Sequence, residues 1–400
     1  MYIDNCLGQQ HSQSKEVPMY YSGIDLHSDN CYITTLDESG SVVKRQRIEN
    51  DNERVLDYFH SLPGPHQAVV ESTTGWYWLN DLLGDHDIEL ILAHAKYLKA
   101  ISYAKVKTDK VDSQTLAILL RQDLIPRAHK ISRELRGLRD TMRIRLRLVQ
   151  QRTACLLRLY SIHAKFNGSV PDPYRFQLAV LEHTRDTFTE QILALEKSLH
   201  PVLIPNDDIQ RLLHIPGIGK LSAFTIYLEI DGIERFDSDK RFVSYCRLVP
   251  AADNSNRSVH HRSSKDGNKY LKIAFSDAAV HAIQYYAEYK RFFQKLARRS
   301  GEPTARTVVA KELAKIVYYV LKNKTTYKGL KGQPISRQFR RNPFGKITAV
   351  AAPLKPAPLT DCLEHRSLDW EESALCRGNI WASVAEKRIT SLVTEGSSFR

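Results

Sequence analysis

From residue 19 to about residue 96, short strand-like apolar runs alternate along the chain with segments of helical periodicity. The strand-like runs are MYYSGID, CYITTLD, SVVKRQRIE, HQAVVEST and ELILAHA, and the helix-like segments are NERVLDYFHSL and WYWLNDLLG. The first three strands follow one another through the tight turns SDN and ESGS, and helices alternate with strands after them. This order predicts a mixed β-sheet covered by helices, an α/β domain over residues 19–125.

Helical periodicity then dominates residues 109–165, and a turn at NGSVPDP precedes a second long helix at 174–199. The two helices predict a helical linker over 126–205, either an antiparallel coiled-coil arm or a means of self-association.

Residues 206–330 predict a second, mainly helical domain. It opens with LLHIPGIGKLSAFTIYLEI, where Gly217 and Gly219 allow a sharp turn of the helix-hairpin-helix type between two helices. Such a turn either presents backbone N–H groups to a phosphate or serves packing alone. The later stretch DNSNRSVHHRSSKDGNK has no apolar pattern and predicts a loop between helices. We expect poor order in a basic tail over 331–400, and a further tail at 1–18.

Composition narrows the class of protein. No apolar run approaches the roughly 18–20 residues of a membrane span, and the first twenty residues lack the apolar centre of a signal peptide, so we expect a cytoplasmic protein with no membrane partner. The six cysteines form no zinc-type spacing and predict reduced, mostly buried thiols: Cys6, Cys31, Cys155, Cys246, Cys362 and Cys376.

Positive charge is in excess and is concentrated. Lys plus Arg number 58 against 45 Asp plus Glu, a net charge of +13, which favours a polyanionic partner. Residues 127–165 hold 11 basic and 2 acidic residues, a local excess of nine. A solvated helix face is one explanation. The other is phosphate binding, because unmatched like charges repel until a polyanion neutralises them, and its candidates are Arg136, Arg139, Arg143 and Arg147.

Four acidic residues suggest a metal site. Asp25 lies in the strand-like YYSGIDLH and Glu71 ends the apolar run QAVVE, and a lone carboxylate in such a place costs several kcal/mol unless it is paired, protonated or bound to metal. Asp109 and Asp112 are three residues apart at the start of a predicted helix, so they share a face near the positive end of the helix dipole. Simple N-capping would also explain these two.

Together the four acids predict a hard-oxygen site for Mg²⁺ or Mn²⁺, with room for two ions that clamp a phosphate. Lys107 and Lys110 flank the helical pair and either contact the same phosphate or are solvated.

The segments GIDLH, VVESTTGWYW and KTDKVDSQTLA, followed by IPGIG and RFVSYCRLVPAADNSNRSVHHRSSKDGNKYLKIAF, resemble the DEDD-type transposases of bacterial insertion sequences. That family includes Piv-like DNA invertases and bridge-RNA-guided recombinases, and the resemblance covers about residues 20–325. It implies a RuvC-like, ribonuclease H-like N-terminal domain joined by a coiled coil to a C-terminal transposase domain. It also implies that the DEDD tetrad is Asp25, Glu71, Asp109 and Asp112.

The resemblance further implies a serine that attacks DNA and becomes a phosphoserine. The matching stretch RLVPAADNSN places this nucleophile at Ser255, with Ser258 and Ser263 as alternatives. Arg247 stands where the family commonly has Gly, and Asn256 where Gly often follows the serine. In the same stretch Arg257, Arg262 and Lys265 are candidates for phosphate binding, and His260 or His261 for proton transfer, although a solvated loop also explains the histidines.

The resulting hypothesis is a site-specific DNA transposase or recombinase of a mobile element. It would bind DNA and, by resemblance, a structured guide RNA, work as a homodimer or tetramer, and associate with the bacterial nucleoid when active. Two alternatives stay open. One is a RuvC-like nuclease that uses water, and the other is a nucleic-acid-binding protein without catalysis.

Overall fold

The computed structural model describes residues 19–73, 75–101, 108–255, 258–263 and 266–329, so both predicted tails lie outside the described residues. The chain divides into two compact units, Met1–Arg133 and Glu134–Arg400. Among the described residues, no helix is both long enough and apolar enough to cross a membrane.

The first unit is built on a five-stranded mixed sheet, as the apolar pattern predicts. The strand order is β3-β2-β1-β4-β5, where β1 pairs antiparallel with β2 and parallel with β4. The pair β2–β3 is antiparallel and the pair β4–β5 is parallel. The strands are β1 Tyr20–Leu26, β2 Asn30–Leu36, β3 Val42–Glu49, β4 His66–Glu71 and β5 Glu89–Ala93.

Helices cover both faces of this sheet. They are α1 Asn52–His60, α2 Trp76–Gly84, α3 Ala95–Ile101 and α4 Asp109–Arg121. Successive strand residues point to opposite faces, so Ile24 and Val70 enter the core formed with α1 and α2. Val69 lies in a second cluster, which it shares with apolar side chains of α4.

The helix predicted almost throughout 109–165 is interrupted, so that prediction is wrong over 122–132. Asp123 takes a left-handed φ of 52°, and Pro126 cannot donate to a helical hydrogen bond. Instead, the chain runs beside β5, where Ala128 N donates to Leu92 O (2.6 Å) and His94 N to Pro126 O (2.7 Å).

The second unit is mainly helical, as predicted. Its elements are α5 Arg133–Lys165, which begins at the last residue of the first unit, α6 Asp172–Leu199, α7 Asp207–Leu213, α8 Lys220–Ile230, α9 Asp239–Tyr245, β6 Pro250–Ser255, β7 Ser258–Ser263, α10 Lys269–Tyr285, α11 Ala287–Ser300 and α12 Glu302–Lys322. The prediction of a plain loop in DNSNRSVHHRSSKDGNK is wrong, because β6 and β7 form an antiparallel hairpin there.

The glycine-rich turn between α7 and α8 has a packing role. Gly217 has a φ of 82°, and a β-carbon there would stand 2.1 Å from the carbonyl oxygen of Ala278 on α10. A side chain at this position would therefore collide with the α10 backbone. The buried free thiols of Cys31, Cys155 and Cys246 agree with the cysteine prediction.

Two long helices, α5 and α6, occupy the predicted linker region. Arg145 and Glu196 form an ion pair between them, and the rings of Phe166 and Tyr174 meet at 4.6 Å beside the turn. A coiled-coil arm and self-association through these helices stay predictions.

Candidate active site

Asp25 and Glu71 stand side by side at one edge of the sheet. The parallel register pairs Ile24 with Val70, and Asp25 and Glu71 are the residues that follow in the two strands. Carboxyl ends of parallel strands meet at the same edge of a sheet, which is where ligands of open α/β sheets bind. Because Ile24 and Val70 face the α1–α2 core, the two acids face the opposite side, over which α4 lies.

Helix α4 reaches this side because β1 has a glycine at Gly23. A β-carbon there would stand 2.0 Å from Ser113 O and 2.5 Å from Ala117 N, so the helix backbone rests directly on the strand. A hydrogen bond of 2.8 Å between the hydroxyls of Thr34 and Ser113 holds the same contact. Gly23 was not among the predicted site residues. A glycine inside a buried strand is nevertheless a signal of close backbone approach.

The first turn of α4 carries Asp109 and Asp112. The N-cap is Thr108, whose side chain accepts a hydrogen bond from Val111 N at 3.3 Å. Neither acid is the N-cap, so capping does not account for them. Their carboxylates add negative charge at the positive end of the helix dipole.

Asp25, Asp109 and His27 form one group whose potential ligand atoms all lie within 4.8 Å of one another. His27 Nε2 lies 3.3 Å from Asp25 Oδ2 and 3.5 Å from Asp109 Oδ1. Arg47 Nη2 lies 3.6 Å from Asp109 Oδ2. Sequence reasoning missed His27 and Arg47. His27 follows Asp25 by two residues, and residues two apart in an extended segment point to the same face. This spacing is a signal that the two side chains lie close together.

Burial raises the pKa of Asp25, and the carboxylates of Asp109 and Asp112 raise it further, whereas His27 lowers it. Asp112 is therefore close enough to act on Asp25, although neither Asp112 nor Glu71 belongs to the group of three. Burial and the two neighbouring carboxylates together thus outweigh the effect of His27 on the pKa of Asp25. Carboxylate oxygens are donors that suit Mg²⁺ or Mn²⁺, and the imidazole nitrogen is a further donor that suits Mn²⁺ better than Mg²⁺, so the residues fit a divalent cation.

A cleft of about 490 Å³ is lined mainly by residues of β3 and α1, and Arg47 is one of them. Its lining includes Lys44 from β3 and Arg54 from α1, the latter paired with Glu49 at 2.8 Å. Alternation along β3 puts Lys44 and Ile48 on the face that packs against α1, whereas Arg47 lies on the face of the acids. Most of the cleft therefore lies on the side of the sheet opposite the acidic group.

Ser255 is the last residue of β6, and its backbone pairs with Ser258 at the start of β7. Ser263, the other alternative nucleophile, ends β7 and pairs with Pro250 at the opposite end of the hairpin. The hairpin carries His260, His261 and Arg262 on β7. Asn256, Arg257 and Lys265, like Lys107, lie outside the described residues.

The base of the hairpin is held by several hydrogen bonds. Arg247 has a left-handed φ of 57°, a backbone conformation that glycine adopts more readily than other residues. Its Nε donates to Gly267 O at 2.8 Å, and Asn268 N donates to Tyr245 O at 2.6 Å. Asn268 also donates from Nδ2 to the buried Glu229 at 2.7 Å.

The four arginines predicted to bind nucleic acid differ in accessibility. Arg136 is only 7% exposed, and Arg143 makes two hydrogen bonds to Glu229, at 2.6 and 2.7 Å. Arg139 is partly buried and Arg147 is exposed, as is Lys110 on α4. The positions of Lys110 and Arg147 therefore suit phosphate contact best.

Comparison with known proteins places these features in context. A family model for DEDD transposases of the IS110 type matches residues 22–164, which include all four acids. A second model, for transposases of the IS116/IS110/IS902 family, matches residues 209–294, which include Ser255.

Curated relatives match over much of their length. A probable family 20 transposase of Pseudomonas aeruginosa is 23% identical over 339 residues, 76% of this chain and 98% of the relative. The transposase of insertion sequence element IS1111A from Coxiella burnetii is 24% identical over 340 residues, 76% of this chain and 90% of the relative. The transposase of insertion sequence element IS1328 from Yersinia enterocolitica is 21% identical over 270 residues, 62% of this chain and 80% of the relative.

Proposed function

We propose that this chain, which belongs to the IS110/IS116 family of insertion-sequence transposases, cuts and rejoins DNA at the ends of its element through a serine-linked intermediate. The observation that supports it most is the gathering of Asp25, His27 and Asp109 at the carboxyl edge of the sheet, inside the region that the DEDD family model matches. The five-stranded mixed sheet also supports a RuvC-like, ribonuclease H-like domain.

The acids are the proposed cation site. Asp25 and Asp109 would hold the ion with His27, and Glu71 and Asp112 would complete its surroundings. A bound Mg²⁺ or Mn²⁺ would supply Lewis-acid stabilisation of charge on a phosphodiester. Arg47, whose Nη2 lies 3.6 Å from Asp109, would position the DNA backbone beside these acids.

Ser255 is the proposed nucleophile. Its Oγ would form a bond to phosphorus while the bond to the leaving deoxyribose oxygen breaks, and the serine proton must pass to a base. The phosphodiester energy is retained in the phosphoserine, so a new DNA hydroxyl can reverse the step without ATP. Ser258 and Ser263 are the alternative nucleophiles, and His260 and His261 are candidate proton carriers.

DNA, a structured guide RNA and further copies of the chain are the proposed partners, in a homodimer or tetramer. The net charge of +13 supports a nucleic-acid partner. The proposed phosphate contacts are Lys107, Lys110, Arg136, Arg139, Arg143, Arg147, Arg257, Arg262 and Lys265. Among them the exposed Lys110 and Arg147 have the strongest support, and Arg143, whose guanidinium group pairs with Glu229, has the weakest.

The test is incubation of the full chain with DNA of the element ends, the flanking RNA and Mg²⁺, scored for a covalent protein–DNA adduct. We expect an adduct with the unmodified chain and none with Ser255→Ala or Asp25→Asn. Ser258→Ala serves as the matched control and should retain the adduct.

Full cleavage by Ser255→Ala without an adduct would instead favour hydrolysis by water. That second candidate is favoured by the location of the whole acidic group within the first unit. Binding without cleavage under any metal condition would favour a non-catalytic nucleic-acid-binding protein.

A further inference from the structure

Helix α11 has two sharply different faces. At 100° per residue, Tyr289, Phe292 and Phe293 fall on one side, where Tyr289 is 1% exposed and both phenylalanines pack against the core of the second unit. The opposite side carries the small Ala287 and five exposed polar residues, namely Lys290, Arg291, Gln294, Lys295 and Arg298. We call these five polar residues the α11 basic face.

This face has no compensating acid. Within the described part of the chain, no ion pair involves Lys290, Lys295 or Arg298, whereas Arg306 on the next helix pairs with Glu302 at 2.6 Å. The acid of α11 is Glu288, at the margin of the face. Burial raises the pKa of both Tyr289 and Tyr327, and the Glu288 carboxylate raises both further. Four like charges within three helical turns repel one another, so a bound polyanion would stabilise this surface.

Two large, exposed aromatic side chains stand at the start of α11, within about one helical turn of Lys290. Tyr285 is 64% exposed and Tyr286 is 46% exposed, at the junction where α10 ends and α11 begins. The Tyr285 ring stacks on His281 with an interplanar angle of 13° and a centroid distance of 6.1 Å. Its other face can therefore receive a second planar group, because the ring is largely in solvent.

Exposed aromatic rings beside unpaired basic side chains form a surface of the kind that binds single-stranded nucleic acid. The cations hold the phosphates and the rings stack on unpaired bases, which a duplex keeps covered. The match to the second family model ends at Gln294, so Lys295 and Arg298 lie beyond it.

We propose that the α11 basic face, with Tyr285 and Tyr286, is a binding site for an unpaired segment of nucleic acid. The inference rests on the proposed function, since it assumes that the chain handles nucleic acid. DNA and RNA share the phosphates and bases that this surface would recognise, so the experiment uses both.

The test compares two variants of the full chain with equal loss of charge. The first is Lys290→Gln, Lys295→Gln, Arg298→Gln. The control replaces three exposed lysines on three other helices, Lys197→Gln, Lys240→Gln, Lys322→Gln. The probes are a short labelled DNA strand, the RNA strand of the same sequence, and the matching DNA duplex.

We expect the first variant to bind at least one of the two single strands about tenfold more weakly, with a salt dependence reduced by about two counterions. The control variant should change affinity less than about twofold, because scattered charges act only at long range. All substituted side chains are exposed, so thermal unfolding should show that both variants keep the fold.

The tyrosines test stacking independently. Tyr285→Leu with Tyr286→Leu should weaken single-strand binding about fivefold or more and leave duplex binding unchanged, and the Phe versions should retain most affinity. Equal losses of affinity in the α11 triple variant and in the control triple variant would overturn the inference. Equal losses of affinity for single strand and duplex in the double Leu variant would also overturn it. Absence of any nucleic-acid binding by the unmodified chain would instead overturn the proposed function.

Discussion

The backbone of Gly23 lies directly against that of Ser113, because a β-carbon on Gly23 would stand 2.0 Å from the Ser113 carbonyl oxygen. This contact joins the strand that carries Asp25 to the helix that carries Asp109. The carboxylates meet because no side chain separates the two elements. A glycine without chemical function of its own thus determines the geometry of the acidic group.

We therefore expect Gly23→Ala to destabilise the first unit by about 3 kcal/mol and to abolish activity, because α4 must move away from the sheet. Chemical denaturation would measure the stability. Gly137→Ala is the control, since nothing lies within 4 Å of a β-carbon there, and it should stabilise the helix by up to about 1 kcal/mol. A Gly23→Ala chain with unchanged stability would contradict the close packing.

Removing the charge of Asp25 should make the metal-free chain more stable. The pKa of Asp25 is raised in the folded state, so its ionisation costs stability at neutral pH, and this cost disappears as the pH falls and the carboxyl is protonated. We expect Asp25→Asn to unfold at a higher temperature than the unmodified chain in the presence of a chelator, while losing activity.

Added Mg²⁺ or Mn²⁺ should raise the unfolding temperature of the unmodified chain more than that of Asp25→Asn, because the ion binds only the folded acid group. Thermal unfolding with and without the metal checks both statements. Equal metal effects on the two proteins would contradict a cation site at Asp25.

Arg143 is expected to act through stability. Arg143→Ala would leave the buried carboxylate of Glu229 without its bidentate partner, at a cost of about 3–5 kcal/mol. The double variant Arg143→Met, Glu229→Gln should recover much of this loss, because the buried charge is gone and Gln still accepts from Asn268. Urea denaturation gives the stabilities. Normal stability of Arg143→Ala with weakened DNA binding would instead support a phosphate contact.

Asp277 should make the second unit less stable as the pH rises from about 4 to 6. Burial raises its pKa from 3.8 to about 6, opposed by Arg145, so the folded state holds a proton that the unfolded state releases. A shift of this size corresponds to roughly 3 kcal/mol lost at neutral pH. Asp277→Asn should recover part of it and flatten this pH dependence, as denaturation across the pH range would show. A variant that is less stable at pH 7 would contradict the assignment.

The sheet could be predicted from the sequence because its strands are short apolar runs separated by turn residues. Asp25 and Glu71 are predictable as carboxylates at the ends of such runs, and Asp109 and Asp112 as acids in the first turn of a helix, and both are local properties. His27 and Arg47 were not recognised, because their proximity to Asp109 depends on the strand register and on the docking of α4. Arg143 shows the same limit, since its partner Glu229 is 86 positions away in the chain.

Two errors have local causes. The spacing of the leucines predicts a continuous helix, but the left-handed backbone of Asp123 and the missing N–H of Pro126 interrupt it. The sequence predicts a loop where the hairpin lies because ADNS and SVHHRS contain one apolar residue each, so they lack the alternation that marks a half-buried strand. Ser255 ends β6 and Ser258 begins β7 because their backbones pair, and no periodic pattern in the sequence marks these positions.

The hairpin also has a mechanical consequence. Six residues per strand make it about 20 Å long, with its base held by Arg247 and Asn268 and with Ser255 at its far end. At this length, a rotation of the base by a few degrees would displace the far end by about 1 Å or more. Alignment of a reacting oxygen with a phosphorus atom would then be adjusted from a pivot remote from the chemistry.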